Sequence, residues 1–197
     1  MAGVEQSVTR ITEVEYLRLE FAAPDRHEFV DGVVRAMTGA RRAHNLCVGE
    51  IFAPLHSAAK ADGCRVFQEG QRLRIAAQRR YYPDVMVVCA AEPDDPYIEE
   101  APCLLVEVLS PTTATVDRGE KLIAYRSRES LRHYLVVDLD AGFIEHHHRA
   151  SPLDPWAFDV AGAGGVIALH CPEMLLDVGQ VLGDSARLVL GLDDDSV

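Results

Sequence analysis

Three short apolar runs constrain the fold of this chain more than any other feature. They are VMVVCA (85–90), CLLVEVL (103–109) and YLVVDL (134–139), and each has the length of one β-strand. Near-continuous apolar strands are typical of sheets that are buried on both faces. The segment TVDRGEKLIAYRSR (115–128) between the second and third runs predicts a helix. This order of elements predicts an α/β fold in which helices cover the sheet.

The N-terminal part of the chain adds further elements. Thr12 followed by Glu15 is a capping-box pattern and predicts a short helix over 12–20. HEFVDGVV predicts two strands that are joined by a tight turn at Asp31–Gly32. The segment 41–62 has apolar residues at helical spacing and predicts a long helix.

Length and composition predict one domain. A chain of 197 residues, of which 48% are hydrophobic, can bury one sizeable core. We therefore expect a single domain over 1–197, with a core at about 12–150 and a C-terminal extension at 151–197. The N-terminus lacks the pattern of a secretory signal and no run is long enough to cross a bilayer, which predicts a cytoplasmic protein without membrane contact.

The cysteines show no pairing pattern. The chain has five of them, an odd number, and none forms a C-x-x-C pair. The sequence therefore indicates neither a disulfide framework nor a structural zinc site, and we expect reduced, apolar-type cysteines.

Glu107 is out of place in its apolar run. Strand alternation puts it on one face with Leu105, whereas Val106 and Val108 point to the other face. An ionised carboxylate without partners costs several kcal/mol when it leaves water, so it must neutralise, pair with a cation or bind a metal ion.

A second carboxylate, Asp84, stands at the entry of the preceding apolar strand, after Pro83. If the two strands are neighbours, Asp84 and Glu107 converge. Two hard oxygen donors suit Mg²⁺ or Mn²⁺, which usually take one or two protein carboxylates. Such an ion polarises a phosphodiester and activates a bound water.

Lys121 is the candidate for positioning that water or stabilising developing negative charge. Asp117, Lys121 and Tyr125 are spaced four apart and share one helical face. The alternative is an ordinary surface pair of Asp117 with Lys121, worth about 0.3–0.5 kcal/mol.

The segments YYPDVMVV, LLVEVLSPTTATVDRGEKLIAY and RHYLVVDLD together resemble the Uma family of restriction-endonuclease-like proteins, in the PD-(D/E)XK nuclease superfamily. The usual PD-(D/E)XK motif has lysine two residues after the acid, where this chain has Leu109. In the Uma family that role lies on the helix after the second acidic strand, a position that Lys121 matches. The resemblance covers about residues 12–150 and includes HEFVDGVV, with Glu28, and the helix that starts near His44.

The resemblance implies a restriction-endonuclease-like mixed β-sheet flanked by helices. It also implies hydrolysis of phosphodiester bonds, with DNA as the expected substrate, and a homodimer by analogy with enzymes that cut both strands. Asp84, Glu107 and Lys121 are the expected catalytic residues, with Asp84 and Glu107 as metal ligands.

Glu28, His44 and the histidine run at 146–148 each have a functional and a purely structural interpretation. Glu28 either extends the carboxylate cluster or faces solvent or an arginine at a strand end. His44 either contacts phosphate or a metal-bound water, or is a partly buried, satisfied histidine. The run 146–148 contains three histidines, but strand alternation separates the middle one from its neighbours. We therefore expect exposed histidines on an edge strand rather than a metal site.

Charge leaves the function class open. Residues 1–90 carry 12 basic and 11 acidic residues, whereas residues 91–197 carry 7 and 20. Seven arginines could form a local basic face for nucleic acid, despite the net charge of -12: Arg35, Arg41, Arg42, Arg72, Arg74, Arg79 and Arg80. The acidic balance and Leu109 fit an alternative, a catalytically inactive homo-oligomeric binding or scaffold module. A third hypothesis is a metal-dependent hydrolase of a small phosphorylated substrate.

Overall fold

The computed structural model describes residues 9–37 and 39–189, so both ends of the predicted domain, 1–8 and 190–197, lie outside it. The helices are α1 (Glu13–Ala22), α2 (Arg42–Ala61), α3 (Ala114–Val116), α4 (Leu122–Arg126) and α5 (Val178–Val189), and a π-helical turn (Asp117–Lys121) joins α3 to α4. None of these described helices combines the length and apolar character needed to cross a membrane.

The strands form two mixed sheets and a hairpin. Their bounds are β1 (His27–Val30), β2 (Val33–Ala36), β3 (Arg65–Gln68), β4 (Arg72–Ala76), β5 (Arg79–Tyr81), β6 (Val85–Val88), β7 (Ile98–Glu99), β8 (Leu104–Val108), β9 (His133–Asp138), β10 (Phe143–His148), β11 (Ala157–Gly162), β12 (Val166–His170) and β13 (Glu173–Asp177). The central sheet has six strands in the order β11-β10-β9-β8-β6-β3, and the second has five in the order β2-β1-β5-β4-β7. β8 and β9 are parallel, so the helical segment from α3 to α4 is their crossover.

The helix cap and the tight turn that the local sequence predicts are both present. The Thr12 and Glu15 side chains each accept a hydrogen bond from the other residue's backbone N–H, which completes the capping box of α1. Asp31 and Gly32 both have positive φ, 49° and 87°, as a two-residue turn between β1 and β2 requires.

The central sheet is buried on both faces, as its apolar strands predict. One face packs Val106 and its neighbours against α2, α5 and the β12–β13 hairpin, including Ile51 and Leu182. The other face packs Leu105 against Tyr125 of α4 and residues of the five-stranded sheet such as Leu73. Glu107 follows the alternation of Leu105, so it points toward α4 rather than α2.

The C-terminal extension completes this architecture and corrects one prediction. β11 pairs along the whole of β10, so β10 lies inside the sheet and is not its edge. His146 and His147 are consequently buried, at 5% and 8% exposure, and the expectation of exposed histidines is wrong for both. The predicted alternation is correct, because the His146 and His148 rings stack on one face of the strand.

The cysteines correct another prediction. Cys64 is joined to Cys89 and Cys103 to Cys171 by disulfides, over separations of 25 and 68 residues. Only Cys47, a buried residue of α2, fits the expected free apolar thiol within the described chain. The paired cysteines come from separate strands and loops, so their spacing in sequence carries no pairing signal.

Candidate active site

Glu107 accepts two hydrogen bonds inside the protein. It is 3% exposed on β8, the penultimate residue of that strand. Lys121 Nζ donates to its Oε1 over 3.0 Å, and the Tyr125 hydroxyl donates to the same oxygen over 2.7 Å. The buried carboxylate of Glu107 therefore has a cation and a hydroxyl as partners, and both come from the helical segment that follows β8.

Lys121 is shared by three carboxylates. Its Nζ lies 3.0 Å from Glu107 Oε1, 3.0 Å from Glu28 Oε1 and 3.2 Å from Asp117 Oδ1. The lysine side chain is 6% exposed, so the alternative of a surface pair with Asp117 is wrong. The π-helical turn carries both Asp117 and Lys121, and single π turns within α-helices occur frequently at functional sites.

The charges in this cluster do not balance. Burial raises the pKa of Glu107 well above its usual value of 4.5; Lys121 opposes this rise, while the Asp117, Asp84 and Glu28 carboxylates add to it. Burial alone would lower the pKa of Lys121, but the Glu107, Glu28 and Asp117 carboxylates raise it well above 10.5. Lys121 therefore stays protonated, while Glu107 takes up a proton more readily than an exposed glutamate does.

Asp84 lies in a second group of side chains. Its Oδ2 accepts a hydrogen bond from the backbone N–H of Val108 over 2.7 Å and is 3.2 Å from His44 Nε2. Burial would lower the pKa of His44, but the hydrogen bond to Asp84 and its charge raise it. Possible ligand atoms of His44, Asp84 and Glu69 all lie within 4.8 Å of one another.

The two groups meet at the same end of β6 and β8. These strands are antiparallel, with Val85 opposite Val106, so Asp84 and Glu107 are the next residues outward on each strand. The Val108 N–H that binds Asp84 belongs to the residue after Glu107. The sequence-predicted convergence of the two acidic strands is therefore present in the fold.

The donor atoms fit a divalent cation. Among the described residues, the hydrogen bonds to Asp84 reach only Oδ2 and those to Glu107 only Oε1. Asp84 Oδ1 and Glu107 Oε2 therefore remain for another ligand. Asp117 Oδ1 is also buried and accepts no hydrogen bond from the described residues, although Lys121 Nζ lies 3.2 Å away. Hard carboxylate oxygens with excess negative charge are what Mg²⁺ or Mn²⁺ requires.

The predicted site residues are thus brought together, in two linked groups. Glu28, Glu107, Asp117, Lys121 and Tyr125 form the first group. Asp84 and His44 form the second, which also contains Glu69, a residue that sequence reasoning missed. Glu69 is exposed and follows β3 with φ of 36°, so nothing local in its sequence marks it.

The predicted basic face is largely neutralised. Arg35 makes two hydrogen bonds to Glu120, at 2.8 and 2.9 Å, and Arg79 pairs with Asp31 at 2.9 Å. Arg80 is buried against Glu13. The arginines at the start of α2, residues 41 and 42, are exposed and stand within one turn of His44.

Residues 14–155 of the chain match the model of the family described as "Uma2: Putative restriction endonuclease". This match spans most of the chain and contains all the site residues named above. The chain belongs to the Uma2 family. The sequence resemblance to the Uma family is therefore confirmed.

Two relatives of this Uma2 protein come from Synechocystis sp. (strain ATCC 27184 / PCC 6803 / Kazusa). "Uncharacterized protein slr1290" is 30% identical over 144 residues, which cover 71% of this chain and 75% of the relative. "Uncharacterized protein sll1609" is 32% identical over 144 residues, which cover 71% of this chain and 81% of the relative.

A solved structure shares the fold. The crystal structure of a "putative nuclease belonging to DUF820" from Anabaena variabilis ATCC 29413 superposes with a TM-score of 0.73 and covers 89% of this chain and 99% of its own. Its sequence identity is 17%, so this likeness concerns the fold alone. It confirms the predicted α/β architecture, a mixed sheet flanked by helices.

Proposed function

We propose that this Uma2 protein is a Mg²⁺- or Mn²⁺-dependent nuclease that hydrolyses phosphodiester bonds in DNA. The observation that carries the proposal is the excess of buried carboxylates around a single ammonium, Lys121, at the point where β6 and β8 bring Asp84 and Glu107 together. A protein interior retains such an excess at a cost that a bound cation removes. Family membership and the fold support the same reaction class.

Asp84 and Glu107 would hold the ion through the oxygens that their hydrogen bonds leave open. When bound, the ion would polarise a phosphodiester and lower the pKa of a bound water. His44, with its pKa raised by Asp84, can donate a proton toward a phosphate oxygen or a leaving group at the edge of the site.

Lys121 has the position for charge stabilisation. It remains protonated between Glu28, Glu107 and Asp117, so it can donate a hydrogen bond to negative charge that develops on a transferred phosphoryl group. Tyr125 holds the Glu107 side chain by its 2.7 Å hydrogen bond and so fixes the direction of the carboxylate. The π-helical turn sets the position of the ammonium.

A nucleic-acid substrate is supported by the start of α2. Arg41 and Arg42 are exposed there, and His44 faces the Asp84 group from the same turn. Helix N-termini attract phosphate through unpaired backbone N–H groups and the helix dipole. These features would bring a phosphate backbone to the carboxylates even though the whole chain has a net charge of -12.

The test is hydrolysis of four labelled substrates: double-stranded DNA, single-stranded DNA, RNA and a small phosphodiester. Each is incubated with Mg²⁺, with Mn²⁺ and with a chelator. We expect metal-dependent cleavage of DNA that Asp84→Asn and Glu107→Gln each abolish. Lys121→Met should retain metal binding and lose about 10²–10³-fold in rate, the usual effect of removing one group that stabilises transition-state charge.

Glu99→Gln is the matched control. Glu99 is also buried, at 4% exposure, but it pairs with Arg65 away from the candidate site. Its replacement should leave cleavage unchanged. Folded wild-type protein that hydrolyses none of the substrates with either metal would refute the nuclease and favour the scaffold hypothesis. Cleavage of the small ester without cleavage of DNA would redirect the proposal to a small phosphorylated substrate.

A further inference from the structure

Three cysteine sulfurs meet at the other end of the central sheet, and a fourth, Cys64 Sγ, is bonded to one of them, Cys89 Sγ. Cys64 immediately precedes β3, Cys89 immediately follows β6 and Cys103 immediately precedes β8. Cys171 lies in the turn of the β12–β13 hairpin, which belongs to the C-terminal extension. The core sheet therefore supplies three of the thiol groups, and the extension supplies the fourth.

The two cysteine pairs touch each other. Cys89 Sγ is 3.3 Å from Cys171 Sγ and 3.7 Å from Cys103 Sγ, although each of these contacts links different disulfides. The sulfurs of Cys89, Cys103 and Cys171 all lie within 4.8 Å of one another. Two independent disulfides have no need to be in contact. Four thiolates around one Zn²⁺ do, because Zn–S bonds of about 2.3 Å give a tetrahedron with S–S edges of about 3.8 Å.

We propose that the reduced protein binds one Zn²⁺ through the thiolates of Cys64, Cys89, Cys103 and Cys171. A closed set of four thiolates is the pattern of a structural zinc site, with no open position for substrate. The ion and the two disulfides use the same four sulfurs, so they are alternative states of the cluster. Zinc binding requires the reduced state.

The role of this site is to fasten the C-terminal hairpin to the core. Cys171 Sγ contributes from the turn between β12 and β13, while the other three sulfurs are anchored at the ends of central strands. Metal binding to a folded site contributes directly to stability, since the unfolded chain lacks the assembled ligands. We therefore expect zinc to protect the hairpin from proteolysis.

The zinc site is independent of the proposed nuclease site. Cys103 precedes Glu107 by four residues on β8, and Cys89 follows Asp84 by five residues on β6. At a rise of about 3.3 Å per strand residue, the two sites are separated by more than ~10 Å. Zinc binding can therefore succeed or fail without changing the outcome of the nuclease test.

The experiment is a Co²⁺ titration of the full chain after reduction with a phosphine and its removal without air. Four thiolates around tetrahedral Co²⁺ give a sulfur-to-metal charge-transfer band together with intense visible bands. Carboxylate or histidine ligands alone give no such charge-transfer band. We expect saturation at one Co²⁺ per chain, and loss of the bands when one equivalent of Zn²⁺ is added.

Two cysteine variants and two controls locate the site. Cys89→Ser and Cys171→Ser should each lose the four-thiolate spectrum, and Glu107→Gln should keep it. Cys47→Ser is the matched control, since Cys47 is buried elsewhere in the core and should be dispensable. Reduced wild-type protein without the charge-transfer band, or a spectrum unchanged in Cys89→Ser, would overturn the proposal.

Discussion

Replacing Lys121 with methionine tests the electrostatics of the candidate site most severely. The substitution keeps most of the side-chain volume and removes the only cation within 3.2 Å of Glu28, Glu107 and Asp117 that the described residues provide. The carboxylates then lose their counter-charge while they remain buried. Breaking a buried ion pair in this way typically costs about 3–5 kcal/mol.

Proton uptake limits the destabilisation that each unpaired carboxylate can cause, because a buried carboxylate becomes neutral when it binds a proton. At pH 7, protonating a glutamate with the usual pKa of 4.5 costs about 3.4 kcal/mol, since about 2.5 pH units are crossed at about 1.36 kcal/mol each. At pH 5 the same step costs less than ~1 kcal/mol. The loss should therefore be about 3 kcal/mol at pH 7 and much smaller at pH 5.

Proton linkage gives the direction in which the stability of Lys121→Met changes with pH. Lys121 opposes the rise in the pKa of Glu107, so without Lys121 this carboxyl has a folded-state pKa still further above its unfolded value; the native state then binds more protons and its stability decreases as pH rises above about 4.5. The assay is urea unfolding of wild type and Lys121→Met at pH 5, 6 and 7. Lys60→Met is the control, because Lys60 is the other lysine of the chain and is exposed at the end of α2. A loss below ~1 kcal/mol at pH 7, or an equal loss at every pH, would refute the reasoning.

Further predictions concern the same site. Tyr125→Phe should lower the free energy of unfolding by about 1.5–3 kcal/mol, because Glu107 loses a charge-assisted hydrogen bond, whereas Tyr97→Phe at an exposed position should have no effect in the same urea titration. His44→Gln should destabilise the protein more at pH 6 than at pH 8. Pairing with Asp84 raises the pKa of His44 in the folded protein above the usual 6.5. The stabilisation from this pair is therefore fully present below pH 6.5 and is lost as pH rises through the pKa of the folded state. Thermal unfolding at both pH values checks this sign, and an equal shift at both would contradict it.

Local signals in the sequence predict a large part of this fold. The capping box of Thr12, the Asp31–Gly32 turn and the apolar strands all depend on residues that are close in sequence, and each is present. The burial of Glu107 is also readable, because alternation within an apolar strand fixes the face of every side chain. The four-residue spacing of Asp117, Lys121 and Tyr125 correctly predicts that they face one site.

Errors arise where distant segments meet. β10 looks like an edge strand because its partner β11 is mostly exposed and is interrupted by Asp159, so β11 lacks the continuous apolar run of the central strands. The disulfide partners Cys103 and Cys171 are 68 residues apart, and only the docking of the hairpin brings them together. Glu69 joins the site across the β3–β6 pair, so its position depends on tertiary structure rather than on a local motif.

Mn²⁺ binding measured by calorimetry at pH 6, 7 and 8 shows whether Glu107 holds a metal ion. We expect wild type and Glu99→Gln to bind the ion with an affinity that increases with pH, because burial raises the pKa of Glu107 and the metal therefore competes with a proton there more than at an exposed glutamate. Glu107→Gln should fold and show no such binding. Equal binding by wild type and Glu107→Gln, or no binding by wild type, would contradict the claim that this buried glutamate holds a catalytic metal ion.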